Sequence, residues 1–365
     1  MTAPAAATGK WIRCPVCLDE FEWRDDELWV PAKEVGEYEK IDLSQVNNPV
    51  KRNDIRRNCY QRCPNPSNDT EAHHLPASYL DYDAPLVVGL VGRSGTGKTH
   101  LLASMIAELE KGGLQSYGLT ARAMDLMLHR RFQVEHLTRL QRDEELGGTK
   151  HGITGFTNVM IVTSSSGTRP VTFFDISGED FLKQGDGDLG QRARFLIGVN
   201  ALLFVETPEH ALGIRNRESS EKVQGNAVFS QVIARLEDLG MARGTPAAVV
   251  LNKSDRLRYV PPVDRWIRKA DDQRLDAASL LEESRDVYGF LLQHNANSSL
   301  TPFHKFPLCT LHFTSATGAE PIGQRFSRGV RPMRVLRPLV ALLAMTGVLT
   351  GPEAREVGRW DAQTR

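Results

Sequence analysis

The octapeptide GRSGTGKT, Gly92 to Thr99, fits the pattern G-x-x-x-x-G-K-[ST]. It lies between the apolar run LVVGLVG and the segment KTHLLASMIAELE. A loop of this kind needs a buried strand before it and a helix after it, which limits the fold more than any other feature of the chain. The glycines let the backbone curl so that several N–H groups converge on one phosphate chain, and the helix behind adds its positive dipole end. LVVGLVG reads as the strand, and Leu101, Leu102, Met105, Ile106 and Leu109 mark the apolar face of the helix. Gly92, Arg93, Ser94, Gly95, Thr96 and Gly97 form the cradle. Lys98 is placed to reach β- and γ-phosphates and Thr99 to bind Mg²⁺.

From Ala84 onward, strands alternate with helices, which predicts a layered α/β domain. NVMIVTSSSGTRPVTFFDIS reads as two strands joined by a short polar turn, and so short a link permits only antiparallel pairing. ALLFVE, PAAVVLN and CTLHFTS read as further strands, and ARFLIGV, SQVIARLEDLG and RVLRPLVALLAM as helices. Two helical insertions are expected, over residues 120–146 and about 262–293. The expected fold is a mostly parallel sheet with one antiparallel edge hairpin and helical insertions. The expected units are a small module over 1–82, a large domain over 83–350 and a tail over 351–365.

Two further motifs follow strands. Asn252-Lys253-Ser254-Asp255 comes straight after PAAVVL. A carboxylate such as Asp255 accepts from both the ring N1–H and the exocyclic amine of guanine, a donor pair that adenine lacks. Asn252 would tie this loop to the phosphate loop, and the stem of Lys253 would cover the base. Ser315-Ala316-Thr317 follows the last strand and is similar to the motif whose backbone N–H meets the guanine carbonyl oxygen.

The ordered set GRSGTGKT, Asp175-Ile176-Ser177-Gly178, NKSD and SAT resembles a GTPase of the translation-factor-related class, over residues 84 to about 350. With its cysteine-bearing N-terminus and long insertions, the chain is similar to bacterial double-GTPase-like (DO-GTPase) proteins. In that group a zinc-ribbon-like module precedes the GTPase domain and a role in multi-component conflict or defence systems is implied. The resemblance implies that GTP or GDP binds with Mg²⁺ held by Thr99, Asp175 and one switch threonine, and that the Gly178 N–H touches the γ-phosphate. Thr154 is the favoured threonine, with Thr149 second and Thr157 also present. Lys98, Thr154 and Glu179 are the catalytic candidates.

Glu179 stands where a water-orienting glutamine often sits. A carboxylate there faces a polyanion, so like-charge repulsion pushes it away or raises its pKa. Slow intrinsic hydrolysis is expected; Arg169, Arg192 and Arg194 read first as surface charges and are, with a partner's arginine, the candidates for supplying the missing charge. The alternatives are a GTP-dependent scaffold without turnover and an ATPase-type protein.

Four of the five cysteines, Cys14, Cys17, Cys59 and Cys63, lie in the N-terminal module, which is too poor in apolar runs to fold without a staple. Two Cys pairs with short spacing predict a structural zinc site, with His73 or His74 as an alternative ligand in place of one thiolate. Cys309 reads as a buried strand residue. Lys+Arg and Asp+Glu both number 45, and the acidic stretch DEFEWRDDELW disfavours nucleic acid on that side of the module, so protein docking is the expected partner mode. Arg325, Arg328, Arg331, Arg334 and Arg337 read as a solvated loop or an anionic partner surface. No run is apolar enough for a signal peptide or a membrane span, so a cytoplasmic chain without an anchor is expected.

Overall fold

The structure is a computed structural model. It describes residues 10–24, 27–32, 37–44, 46–68, 70–147, 155–177, 197–212, 227–270 and 272–360. Among the described residues, the main sheet has seven strands in the order β13-β12-β11-β7-β10-β9-β8. These are β7 (Leu86–Gly92), β8 (Thr120–Ala123), β9 (Gly155–Ser164), β10 (Gly167–Ser177), β11 (Ala201–Glu206), β12 (Ala247–Leu251) and β13 (Cys309–Phe313). β10, β7, β11, β12 and β13 pair in parallel, and β9 is antiparallel to both of its neighbours.

β7 is central and buried at every residue, which is why its sequence is a continuous apolar run rather than an alternation. Its side chains still alternate between two cores. Leu86, Val88 and Leu90 face Leu101, Leu102, Met105 and Ile106 of the helix Lys98–Glu110, together with Leu339 and Leu343 of the helix Arg337–Met345. Val87 and Val91 face Phe229, Val232 and Ile233 of Ala227–Asp238, with Phe290 of Ala277–Gln293 and Phe303 of Asn297–Lys305 on the same side. The fold is therefore three-layered, with the sheet between two helical faces.

Three expectations are corrected. The segment 120–146 is not wholly helical. Thr120–Ala123 is a strand that pairs antiparallel with β9, so β8 rather than the hairpin forms that edge of the sheet. Its residues are small or polar and only partly covered, so the strand carries no apolar signature. Helix then follows over Leu126–Gln141, with a π-turn at Gln133–Leu137.

The boundary at 350 also cuts through packed structure. Ala354 and Val357 are buried, and the Trp360 indole donates to the Cys309 carbonyl at 2.9 Å. Cys309 itself is buried, as its strand position predicts.

The arginine series splits. Arg325, Arg328 and Arg331 are exposed, whereas Arg334 and Arg337 are buried around Glu283. Glu283 accepts from Arg334 Nη2 at 2.9 Å and pairs with Arg337 and with His312 Nδ1 at 3.3 Å. Burial alone would raise the Glu283 pKa, but the Arg334 charge and the His312 contacts hold it below its usual range.

The N-terminal part forms the hairpin β1 (Trp11–Arg13) and β2 (Glu20–Glu22), and a four-stranded sheet in the order β4-β3-β5-β6. The latter contains β3 (Leu28–Pro31), β4 (Tyr38–Ile41), β5 (Tyr60–Arg62) and β6 (His74–Pro76). Its small core is shared. Ile12, Phe21, Trp23, Leu75 and Tyr79 pack with Met124, Val159 and Ile161 of the large domain. No helix among the described residues is long and apolar enough to cross a membrane.

Candidate nucleotide-binding site

Register brings the motifs together. Asp175 lies beside Leu90 and Ser177 beside Gly92, so the end of β10 meets the start of the phosphate loop. Leu251 lies beside Phe313, so Asn252 and Thr314 leave adjacent strands at the same end. All these loops leave the carboxyl ends of parallel strands, where ligands of open α/β sheets bind.

The cradle needs its glycines. Gly97 has φ +79°, and a Cβ there would lie 2.8 Å from Asn252 Nδ2; a Cβ on Gly92 would lie 2.5 Å from the Val205 carbonyl oxygen. Lys98 Nζ donates to the carbonyls of Gly92 at 2.8 Å and Arg93 at 3.1 Å, so the ammonium sits within the loop. Thr99 Oγ1 donates to Asp175 Oδ2 at 2.7 Å. A hydroxyl and a carboxylate oxygen at one point are hard donors that suit Mg²⁺.

The base loop is bonded to the cradle. Asn252 Nδ2 donates to the Thr96 carbonyl at 2.9 Å, and Asn252 Oδ1 accepts from the Ala316 N–H at 3.1 Å. Lys253 has φ +56° and its Nζ reaches the Gly95 carbonyl at 2.8 Å. Burial lowers the Lys253 pKa, and the charges of Asp255 and Glu145 partly offset this. Ser315 Oγ donates to Asp255 Oδ1 at 2.5 Å and accepts from the Gly318 N–H at 2.8 Å, which fixes the carboxylate. Arg258 spans the two loops: its Nη2 donates to the Gly318 carbonyl at 2.8 Å and lies 3.7 Å from Asp255 Oδ2.

Of these residues, Gly95, Gly97, Lys98, Thr99, Asn252, Lys253, Asp255 and Ala316 line a cavity of about 220 Å³. Sequence reasoning missed part of its wall: His100, Glu145, Leu146, Glu320, Pro321 and Phe326. Only His100 left a trace, as a polar residue directly after the motif and next to Leu101. Burial, with the charges of Lys253, His136 and Arg139, lowers its pKa to about 4. Thr149, Thr154, Gly178, Glu179, Arg192 and Arg194 lie outside the described residues, and Thr157 is described in its backbone alone. Arg169 is no arginine finger. It precedes Asp175 on β10 by six residues, about 20 Å of strand, and its Nε donates to the Ala84 carbonyl at 3.1 Å.

In the N-terminal module, Cys14, Cys17, Cys63 and His73 bring their ligand atoms within 4.8 Å of one another. Cys59 is not among them. Across β5 it stands four residues from Cys63, about 13 Å of extended chain, too far for both to share an ion. The alternative ligand set is the one assembled. His73 Nε2 lies 3.1 Å from Cys14 Sγ, and His73 Nδ1 meets the Glu71 carbonyl at 2.8 Å, the outer contact that orients a metal-binding imidazole.

The N–H groups of Val16 and Asn65 donate to Cys14 Sγ at 3.3 Å and Cys63 Sγ at 3.4 Å, supporting thiolate character. Hydrogen bonds from Cys14 and Cys17 hold the Cys63 pKa far below its usual value, while burial raises that of Cys14. Three sulfurs and one imidazole in a closed pocket fit structural zinc. His74 points away and stacks on Tyr38, with ring centroids 4.0 Å apart, because neighbours on a strand face opposite sides.

A glycine-rich loop bonded through Asn252 to the loops after two neighbouring strands is the arrangement of a phosphate-loop nucleotide-binding fold. Residues 86–286, more than half of the chain, match the family model described as Double-GTPase 2, and the chain belongs to that family. No curated protein matches the chain. Among solved structures it is similar to the bacterial selenocysteine-specific elongation factor EF-Sec, with 12% identity and a TM-score of 0.25, over 64% of this chain and 26% of that one. It is also similar to the GTPase-like domain of Saccharomyces cerevisiae Ski7 bound to GTP. There the identity is 15% and the TM-score 0.37, over 75% of this chain and 53% of that one. The chain thus spans about a quarter of the first structure and about half of the second.

Proposed function

We propose that this GTPase is a slow switch that passes its nucleotide state to a protein partner, with the zinc-bearing module as one docking element. The observation that carries the reading is the bonded unit of Thr96, Asn252 and Ala316, which makes phosphate binding and base reading one event. Lys98 would stabilise charge on the β- and γ-phosphates, and Asp255 would select guanine. Thr99 and Asp175 would hold Mg²⁺, which when bound neutralises charge on the phosphate oxygens. Hydrolysis forms a bond from water oxygen to the γ-phosphorus and breaks that phosphorus's bond to the β–γ bridging oxygen, leaving GDP and phosphate.

Glu179 is the reason to expect a low rate, since a carboxylate repels the phosphates it would have to approach. Among the described residues, Arg169 is too far away to compensate. Single-turnover hydrolysis tests this. The wild type should be slow and Glu179→Gln faster; a fast wild type, or a Gln variant that binds GTP but is inert, overturns the slow-switch reading. A pulldown that compares GTP-locked with GDP-bound protein tests the partner, and equal capture in both states counts against signalling.

A further inference from the structure

His100 sits in the first turn of the phosphate-loop helix, directly after Lys98 and Thr99. Its Nε2 accepts the backbone N–H of Leu146 at 3.1 Å. Leu146 belongs to the cavity wall formed by Glu145, Leu146 and Gly147, which is remote in sequence from the loop. The same wall is anchored from outside: the Glu145 N–H donates to the Gln324 carbonyl at 2.8 Å, and Arg139 Nη2 donates to the Glu145 carbonyl at 2.9 Å. Phe326 presents edge-to-face to the His100 ring, with centroids 6.3 Å apart, and its own N–H donates to the Asp143 carbonyl at 2.7 Å. His100 is thus where this framework meets the helix that carries the two phosphate-contacting side chains.

We propose that His100 is a positioning residue for nucleotide retention, whose imidazole acceptor pins the Glu145–Gly147 wall to the phosphate-loop helix. The inference rests on the reading of this cavity as the GTP site. Without the acceptor, the Leu146 N–H loses its partner inside the wall, and a lost buried bond of this kind corresponds to about a tenfold change in an equilibrium or rate. The loosened wall should admit water and let the nucleotide leave sooner.

The test is the dissociation rate of fluorescent GDP and fluorescent GTP from the full chain and from His100→Ala, His100→Gln and His100→Phe. Ala should release both nucleotides about tenfold faster. Gln keeps a neutral acceptor and should stay within about threefold of the wild type. Phe fills the space and keeps the ring contact but lacks the acceptor, so it should release like Ala. Wild-type retention by Phe, or by Ala, overturns the proposal, because packing alone would then suffice. If Ala does not fold, the contrast of Gln with Phe decides. A wild-type chain that binds no guanine nucleotide overturns the site reading and this inference together. Binding with equal release by all four proteins overturns only this one.

Discussion

Asn252 Nδ2 lies 2.9 Å from the Thr96 carbonyl oxygen, and the same amide's oxygen holds the Ala316 N–H at 3.1 Å. One side chain therefore joins three loops that are far apart in sequence. Asn252→Ala leaves two buried backbone groups without partners, at about 1–3 kcal/mol each. The affinity for GTP and GDP should fall together by about 30-fold or more in calorimetry. A loss confined to one nucleotide would mean that Asn252 does not serve the shared frame.

Asp255 is fixed by Ser315, which leaves its second oxygen facing Arg258 at 3.7 Å. Replacing the carboxylate by an amide exchanges an acceptor for a donor. Asp255→Asn should weaken GTP by about 100-fold or more, since each charge-assisted bond contributes about 1.5–3 kcal/mol. It should favour xanthine nucleotides, which carry an oxygen where guanine has its amine. Competition between GTP and XTP reads the switch, and an unchanged ratio would remove Asp255 from base recognition.

The thiol–imidazole cluster predicts about one zinc per chain, the stoichiometry of a closed structural site. Elemental analysis should find the metal retained in Cys59→Ser and lost or depleted in Cys63→Ser and His73→Ala. Chelation should lower the melting temperature of the wild type. Equal zinc in Cys63→Ser and the wild type would show that the four residues do not form the site.

Glu283 is buried among Arg334, Arg337 and His312. Removing one partner of such a cluster strands the others, and Glu283→Ala should cost about 3–5 kcal/mol in urea unfolding. The folded pKa of Glu283 lies below its ordinary value. Its contribution to stability is therefore complete above about pH 4.3, the ordinary glutamate range, and is lost as pH falls through the lower folded value. The wild type should lose stability over that acid range, and Glu283→Gln should show a shallower loss.

Much of the site was legible in the chain because strand, turn and helix each leave a local pattern. LVVGLVG had to be buried on both faces, and the NKSD and SAT motifs directly follow apolar strands, so the register of β7, β12 and β13 could only bring them together. What sequence could not give were contacts set by extended geometry or by distant packing. Cys59 and Cys63 look like a metal pair by count, but the strand between them holds them apart, and strand alternation rather than spacing chose His73 over His74. β8 escaped because an edge strand of small or polar residues is held by its backbone. Arg334 and Arg337 look like surface charges until Glu283 arrives from another helix.

The shared N-terminal core has a practical consequence for anyone who divides the protein. Met124, Val159 and Ile161 find part of their cover in Ile12, Trp23 and Tyr79, and Leu18 packs with Phe174 and Val199 next to the strand that carries Asp175. A chain shortened to begin at residue 83 would lay those apolar residues bare beside an edge strand, an invitation to self-association. Sluggish turnover by such a fragment would then report damage at the cut, not the character of the GTPase.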